Sequence, residues 1–387
     1  MNNGSPNFTN QLRPWRILVF AGALSVVFLI YLWRLFSLQI LQHENWLAKA
    51  EENSTREINI AALRGIIYDR NGVILARNVA SYNVVLIAAN LPDDPGAVQE
   101  IFRELSELIG VPVNQSEVTK ENPYVPCVSD HGIAQIAEYG ESSTPFEPVK
   151  IKCDIDEKVA MVIQEKSMDW PGISVEIQPI RDYPTSSLTA SVVGFLGPIP
   201  ANQEEEYVAK RLVPNRDKVG YAGIELQYQD ALAGINGRRL VQIDVAGQIL
   251  RDIDPPIAPV PGANLVLTLD TRLQQAAETI LKNEIEEWNT YFGEIRYTSG
   301  VVIAMNPRTG EILSMVSYPS YENSRMARFI PAYYYRQLVE DPSNPLLNHA
   351  VGDVLPAGSV FKLTTAVGAL NEGVVTPEQI IETPPKL

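Results

Sequence analysis

The chain has 387 residues, 45% of them hydrophobic and 20% charged, a balance that suits packed globular structure and leaves room for two or three ordinary domains. A net charge of −15 with no offsetting basic stripe argues against binding nucleic acid. Two cysteines, Cys127 and Cys153, are too few for a disulfide framework, and the scattered His43, His131 and His349 give no metal-ligand spacing, so neither a metal nor another cofactor is expected.

Residues 17–33 carry no charge, with Arg13 and Arg16 before them and Arg34 after. Apolar character resumes in "LFSLQIL", so the stretch reaches the roughly 20 residues that a bilayer core requires, and Arg34 can snorkel from its outer end. A cleaved signal peptide would have a shorter apolar region ending at a small-residue site, whereas here "AGA" (21–23) sits inside the run. The reading is an uncleaved transmembrane signal anchor over 16–40. Arg13 and Arg16 precede it and Glu44, Glu51 and Glu52 follow, which predicts a cytosolic tail at 1–15 and an extracytoplasmic bulk on a single-pass membrane protein. In that compartment a Cys127–Cys153 disulfide is permitted, and the sequence leaves the pairing open.

After the anchor, "LQHENWLAKAEENS" reads as a helix leaving the membrane. In 63–90, "DRNG" marks a turn between apolar runs, and "YNVVLIA" is strand-like. Residues 91–170 alternate Pro-rich breaks with helical stretches such as "AVQEIFRELSELIG", where Val98, Ile101, Leu105 and Leu108 recur at helical spacing. This segment reads as an insertion within one extended domain spanning 41–255, whose remainder returns to short strands and turns. The Pro-rich "DIDPPIAPVPG" (252–262) predicts a linker and a domain boundary. Beyond it, "ANLVLTLD" reads as a strand and "TRLQQAAETILKNEIEEW" as an amphipathic helix with Thr271 as its N-cap. "SGVVIAMNPRTGEILSMVSYP" reads as a hairpin turning at Gly310, and a further helix opens at Ser359. The order predicts an α+β layer domain, with too few strands and helices to cover its own apolar face.

Ser359 and Lys362 stand three apart at that helix opening, in "LPAGSVFKLTTAVGAL". Attack on an acyl carbon needs an alkoxide, and a neighbouring lysine supplies the base if burial lowers its pKa. Positions i and i+3 share a helix face, and the first-turn N–H of Ser359 can stabilise a developing oxyanion. Gly358 would let a substrate carbonyl approach the backbone. The bland alternative makes Ser359 an N-cap, Lys362 a solvated charge, and Phe361, Leu363, Val367 and Leu370 a core face. Elsewhere, Arg64, Asp69 and Arg70 of "RGIIYDRNG" read as structural polar contacts, "YYYRQL" (333–338) as packing, "QEEEYVAKR" (203–211) as a solvated helix face, and Asn348 as non-catalytic.

Several linked blocks resemble the class B penicillin-binding proteins: "LRGIIYDRNGVILA" (63–76), "RDYPTSSLTASVVGFLG" (181–197), "GYAGIELQYQDALAGINGRR" (220–239), "LVLTLDTRLQQAAE" (265–278), "NPRTGEILSMVSYPSYEN" (306–323) and "AGSVFK" (357–362). The spacing resembles the PBP2-like, cell-elongation branch. The resemblance implies a membrane anchor, an elongated pedestal or dimerisation domain over 41–255, and over 263–387 the start of a serine transpeptidase domain. It implies a peptidoglycan D,D-transpeptidase in which Ser359 is the nucleophile and an oxyanion N–H donor and Lys362 the general base. Peptidoglycan stem peptides and β-lactams would be its reactants, and a polytopic glycosyltransferase its membrane partner. The chain departs from the family's Tyr-x-Pro-Gly-Ser-Thr-Phe-Lys at Leu355, Ala357 and Val360. It has no Lys-Thr-Gly, and Ser-x-Asn occurs only at Ser5–Asn7 and Ser81–Asn83, so the expectation is an N-terminal part of such an enzyme. The alternative is a catalytically inactive, membrane-anchored scaffold of the cell-wall elongation complex.

Overall fold

The computed structural model describes residues 14–42, 54–214, 216–244, 249–354 and 356–381. The expected cytosolic tail and most of the helix expected after the anchor lie outside the described residues. Helix Pro14–Phe36 passes directly into a π-helical turn at Ser37–Leu41. Its apolar window, Leu18–Leu41, has a mean hydropathy of 2.1 and no burial against the rest of the protein. Among the described residues this is the one helix long and apolar enough to cross a bilayer, and its backbone pairs within itself as hydrocarbon requires.

The chain beyond it is mixed α+β. Strands β1 (Thr55–Ile60), β2 (Ile67–Tyr68) and β3 (Ile74–Leu86) are followed by β4 (Val149–Ile155) and β5 (Ile173–Asp182). The central strand is β3. It pairs antiparallel with β5 from Arg77↔Asp182 to Leu86↔Ile173 and with β4 along its far half. It returns to β2 through the predicted "DRNG" turn, where Gly72 takes a φ of 82° that an L side chain resists. Short strands β6 (Leu196–Pro198) and β7 (Lys218–Gly220) pair with each other, and β8 (Gly237–Ile243) lies between β1 and β9 (Ile249–Asp252).

The segment 91–170 supplies the larger core rather than an appendage. Helix Pro95–Ile109 is opened by the Asp94 carboxylate, which accepts from the Gly96 and Ala97 N–H groups, and is closed by left-handed Gly110. Ile101 and Leu105 are buried as the periodicity predicts, and Val98 and Leu108 flank them. Phe102 and Ile109 complete the buried face, which packs with helices Ile133–Ser143 and Glu157–Glu165 on Val84, Leu86, Ile151 and Trp170. Cys127 and Cys153 are joined, tying the 114–131 loop to β4. With a sequence separation of 26 between the two cysteines, serine at either position is expected to cost about 3 kcal/mol. A thermal melt with and without dithiothreitol checks this: reductant should lower the midpoint of the wild type and leave Cys153→Ser unmoved.

The Pro-rich 252–262 segment lies along β8 and the residues just before it, with Ile257 bridged to Arg238 and Val260 to Ile235. Then β10 (Leu265–Val266) joins β2 in parallel, so only two residues of "ANLVLTLD" form a strand. The helix that follows, Thr271–Phe292, is capped by Asp270, whose carboxylate accepts from the Arg272 and Leu273 N–H groups. That corrects the assignment of the cap to Thr271. The Thr271 hydroxyl is committed elsewhere, donating to Asp69 Oδ2 at 2.7 Å. The predicted hairpin is β11 (Gly300–Met305) with β12 (Ile312–Tyr318), turning through left-handed Gly310. Buried Gln274 pins the helix to this hairpin: its Oε1 accepts from Ser314 Oγ and Met315 N–H, and its Nε2 donates to the Leu188 and Met315 carbonyls.

Asp69 therefore joins the first turn to the last block. Buried, it accepts from the N–H groups of Asn71, Val73 and Thr271 as well as from the Thr271 hydroxyl. Burial pushes its carboxyl up, but these hydrogen bonds outweigh it and hold the group below the usual carboxylate range. The Asn71 side chain, then Arg272, holds neighbouring Asp270 down to about 2. Because both folded values are depressed, the stabilisation is complete above the ordinary value of about 4 and is lost as pH falls through the depressed ones. Asp69→Asn is expected to cost about 2 kcal/mol at neutral pH, since buried N–H donors lose an acceptor. The gap in melting midpoint between wild type and Asp69→Asn should close as pH falls below the ordinary carboxylate range and through the depressed value of Asp69.

Candidate acyl-transfer site

Two buried clusters place the C-terminal block against the pedestal. One joins Ile67, Leu75, Tyr183 and Val193 with Ala327; the other joins Ala190 and Phe195 with Tyr321, Met326 and Tyr334. The tyrosine cluster packs as its sequence suggests: Tyr334 is buried in helix Ala332–Glu340, and its hydroxyl accepts from the Glu322 N–H at 2.8 Å. Asn348 caps helix His349–Gly352 and donates to the Ser191 carbonyl, a structural role.

The chain then reaches the Ser-x-x-Lys segment. Leu355 lies outside the described residues. Gly358 has a φ of 56°, and a Cβ built there would meet nothing within 4 Å. Glycine takes this left-handed turn without strain, and the described residues show no crowding at it. Gly358–Val360 form a 3-10 turn that runs into helix Phe361–Asn371. Ser359 sits within that opening turn, where backbone N–H groups have no intrahelical partner, and Lys362 follows on the first helical turn. Both side chains are exposed, and among the described residues neither has a hydrogen-bond or ion-pair partner.

Two parts of the bland reading fail here, while Lys362 is the solvated charge that it expects. Val360, already helical, precedes the helix and no side chain caps it, so Ser359 is no N-cap. Phe361, Leu363 and Val367 are 60%, 73% and 67% exposed, so they form no core face among the described residues. Further apolar side chains are exposed on the long helix (Ile280 and Trp288), in the connection after it (Ile295) and on β11 (Ile303 and Met305). The desolvation that would tune a lysine base is likewise not supplied by the described residues.

One functional-looking constellation was missed in the sequence. Arg64, Arg181 and Glu225 converge from three of the sequence blocks and are all buried. Glu225 Oε2 accepts from Arg64 Nε at 2.6 Å and Oε1 from Arg181 Nε at 2.8 Å, while Arg64 Nη2 donates to the Glu225 carbonyl at 2.9 Å. The sequence signal was slight: each of the three residues is one of two to four charges in an apolar or turn-rich block, and nothing local sets it apart from the others. Close backbone packing surrounds it: a Cβ on Gly220 would come within 2.1 Å of the Glu225 carbonyl oxygen.

Residues 59–267 match the penicillin-binding protein dimerisation domain, and residues 300–387 match the penicillin-binding protein transpeptidase domain. The chain belongs to the penicillin-binding proteins that carry these two domains in succession. It is 27% identical over 366 residues to peptidoglycan D,D-transpeptidase MrdA of Salmonella typhimurium strain LT2, covering 94% of this chain and 53% of that one. To MrdA of Escherichia coli strain K12 it is 29% identical over 345 residues, covering 88% and 49%. The chain thus spans about half the length of the curated relatives it matches. Among solved structures, PBP2 in its complex with MreC from Helicobacter pylori aligns with a TM-score of 0.62 at 22% identity, covering 86% of this chain and 55% of that one, a likeness of fold. A chain from a peptidoglycan synthase complex that coordinates polymerization and crosslinking aligns with a TM-score of 0.59 at 28% identity, covering 94% and 56%.

Proposed function

We infer that these residues belong to a peptidoglycan D,D-transpeptidase of the cell-elongation branch, and that Ser359 carries its acyl transfer. The observation that carries this reading is Ser359 in a glycine-started turn, with Lys362 one helical turn on, inside the stretch that matches the transpeptidase domain. Ser359 Oγ attacks the penultimate D-alanine carbonyl of a stem peptide as Lys362 Nζ takes its proton, and the Ser359 N–H donates to the oxyanion. The C–N bond then breaks, the terminal D-alanine leaves with a proton, and an acyl-enzyme forms. An amine from a neighbouring stem displaces Ser359 and completes the cross-link. A β-lactam acylates the same oxygen by opening its ring.

The chain is divided accordingly: a cytosolic tail at 1–15, an anchor at 16–40, a pedestal at 41–255 that includes 91–170, and transpeptidase sequence from 263. The bulk is extracytoplasmic, and the membrane helix sits beside a polytopic glycosyltransferase. Support for such a partner is the likeness to a chain of a peptidoglycan synthase complex. The acyl transfer takes place in a polypeptide that covers the apolar face around helix Phe361–Asn371 and desolvates Lys362. A scaffold without catalysis is the second reading, favoured by the exposure of Ser359 and Lys362. A fluorescent penicillin applied to the full natural product of the gene separates the two. Covalent labelling that disappears in Ser359→Ala supports the transferase, and an unlabelled wild type leaves the scaffold.

A further inference from the structure

Away from Ser359, a cavity of about 650 Å³ opens beside β3 and β5, under residues 328 and 329. Six cations line it: Arg64, Lys150, Arg181, Arg216, Lys218 and Arg328. Their carboxylate partners do not match that number. Arg64 and Arg181 share Glu225, Lys150 faces Glu176 at 3.4 Å, Arg216 holds Asp217 at 2.8 Å, and Arg328 meets Asp154. Lys218 Nζ donates to the main-chain oxygens of Ala327 and Arg328 and has no carboxylate partner among the described residues. Arg181 Nη1 and Nη2 are buried and have no hydrogen-bond partner there either. The wall is therefore net positive in a chain whose overall charge is −15.

The two carboxylates in the lining are already engaged. Asp217 accepts from the Val213 N–H and from Asn236 Nδ2 as well as from Arg216, and Glu176 is held by Lys150. Burial first, then the positive charges of Arg328 and Lys150, push Lys218 down to about 8. A second hollow of about 490 Å³ meets the first at Lys218 and Arg328, and its far wall is formed by Tyr221, Ile330 and Tyr335.

We propose that this junction binds a small oxyanion, a phosphate or carboxylate, carried on a molecule with an aromatic or apolar arm. The anion lies between Lys218 and Arg328, where it supplies the missing negative charge, and the arm follows Tyr221 and Tyr335 into the second hollow. Asn78, Ser81 and Gln178 in the first cavity offer hydrogen bonds to hydroxyls on the same molecule.

The test is calorimetric titration of the whole chain in detergent micelles with phenyl phosphate, benzoate and inorganic phosphate. Saturable binding of phenyl phosphate or benzoate is expected, at least about tenfold tighter than inorganic phosphate, and weakened at least about tenfold in Lys218→Met and in Arg328→Gln. Whichever arylated probe binds more tightly identifies the anion as phosphate or carboxylate. Arg328 is at the rim, so its variant keeps the test valid if Lys218→Met fails to fold. No saturable binding of either arylated probe, affinity no better than that of inorganic phosphate, or binding retained in the folded variants overturns the proposal.

Discussion

Glu225→Gln is expected to lower the unfolding free energy of the pedestal by about 3–5 kcal/mol, the largest effect of any single polar substitution in that domain. Two guanidinium groups, from Arg64 and Arg181, are buried against this one carboxylate. A neutral glutamine would leave two desolvated cations facing each other with nothing to offset them, and at an effective dielectric of about 20 that repulsion alone amounts to a few kcal/mol. The asymmetry of the cluster gives a sharper expectation. Burial, with a further push from Arg181, already draws Arg64 below its ordinary pKa, and Glu225 opposes this. Arg64→Met removes the surplus charge and keeps one clean ion pair, so it should cost markedly less than Glu225→Gln. Urea denaturation of the three proteins checks the ranking. Equal losses would mean that the cluster acts through packing and not through charge.

Ser359→Ala is expected to reduce acylation by penicillin roughly a millionfold in the full natural product, the scale on which removal of a serine nucleophile abolishes acyl transfer. Lys362→Ala should cost less, about 10²–10⁴-fold, since a base accelerates attack without being consumed. Neither residue touches the pedestal among the described residues, so neither substitution should move the melting midpoint of the pedestal. That separation of activity from stability distinguishes a reacting pair from a structural one. Stopped-flow acylation and a melt on the same samples provide both readings.

Much of this architecture was legible in the sequence because local physics decided it. The apolar run at 17–33, the "DRNG" turn, the 95–109 helix and the 300–318 hairpin are each specified by an unbroken apolar length, by periodicity or by a glycine with positive φ. What escaped were features decided by distant partners. Asp270 took the cap because the Thr271 hydroxyl was drawn to Asp69, some two hundred residues earlier in the chain. Gln274 is buried because it saturates main-chain groups of β12 and the Leu188 carbonyl, which no helical pattern reveals. The Arg64–Glu225–Arg181 cluster closes over sequence separations that only the fold can bring together. At the candidate site the motif was legible and its environment was not. Ser-x-x-Lys marks the chemistry, while the surface that would bury Lys362 is not among the described residues.

Whether Ser359 forms the acyl-enzyme is decided by mass spectrometry of the full natural product after incubation with benzylpenicillin. A single penicilloyl adduct on the peptide that contains Ser359 is expected if Ser359 is the nucleophile. An adduct on any other residue, or an unmodified protein, would contradict that role.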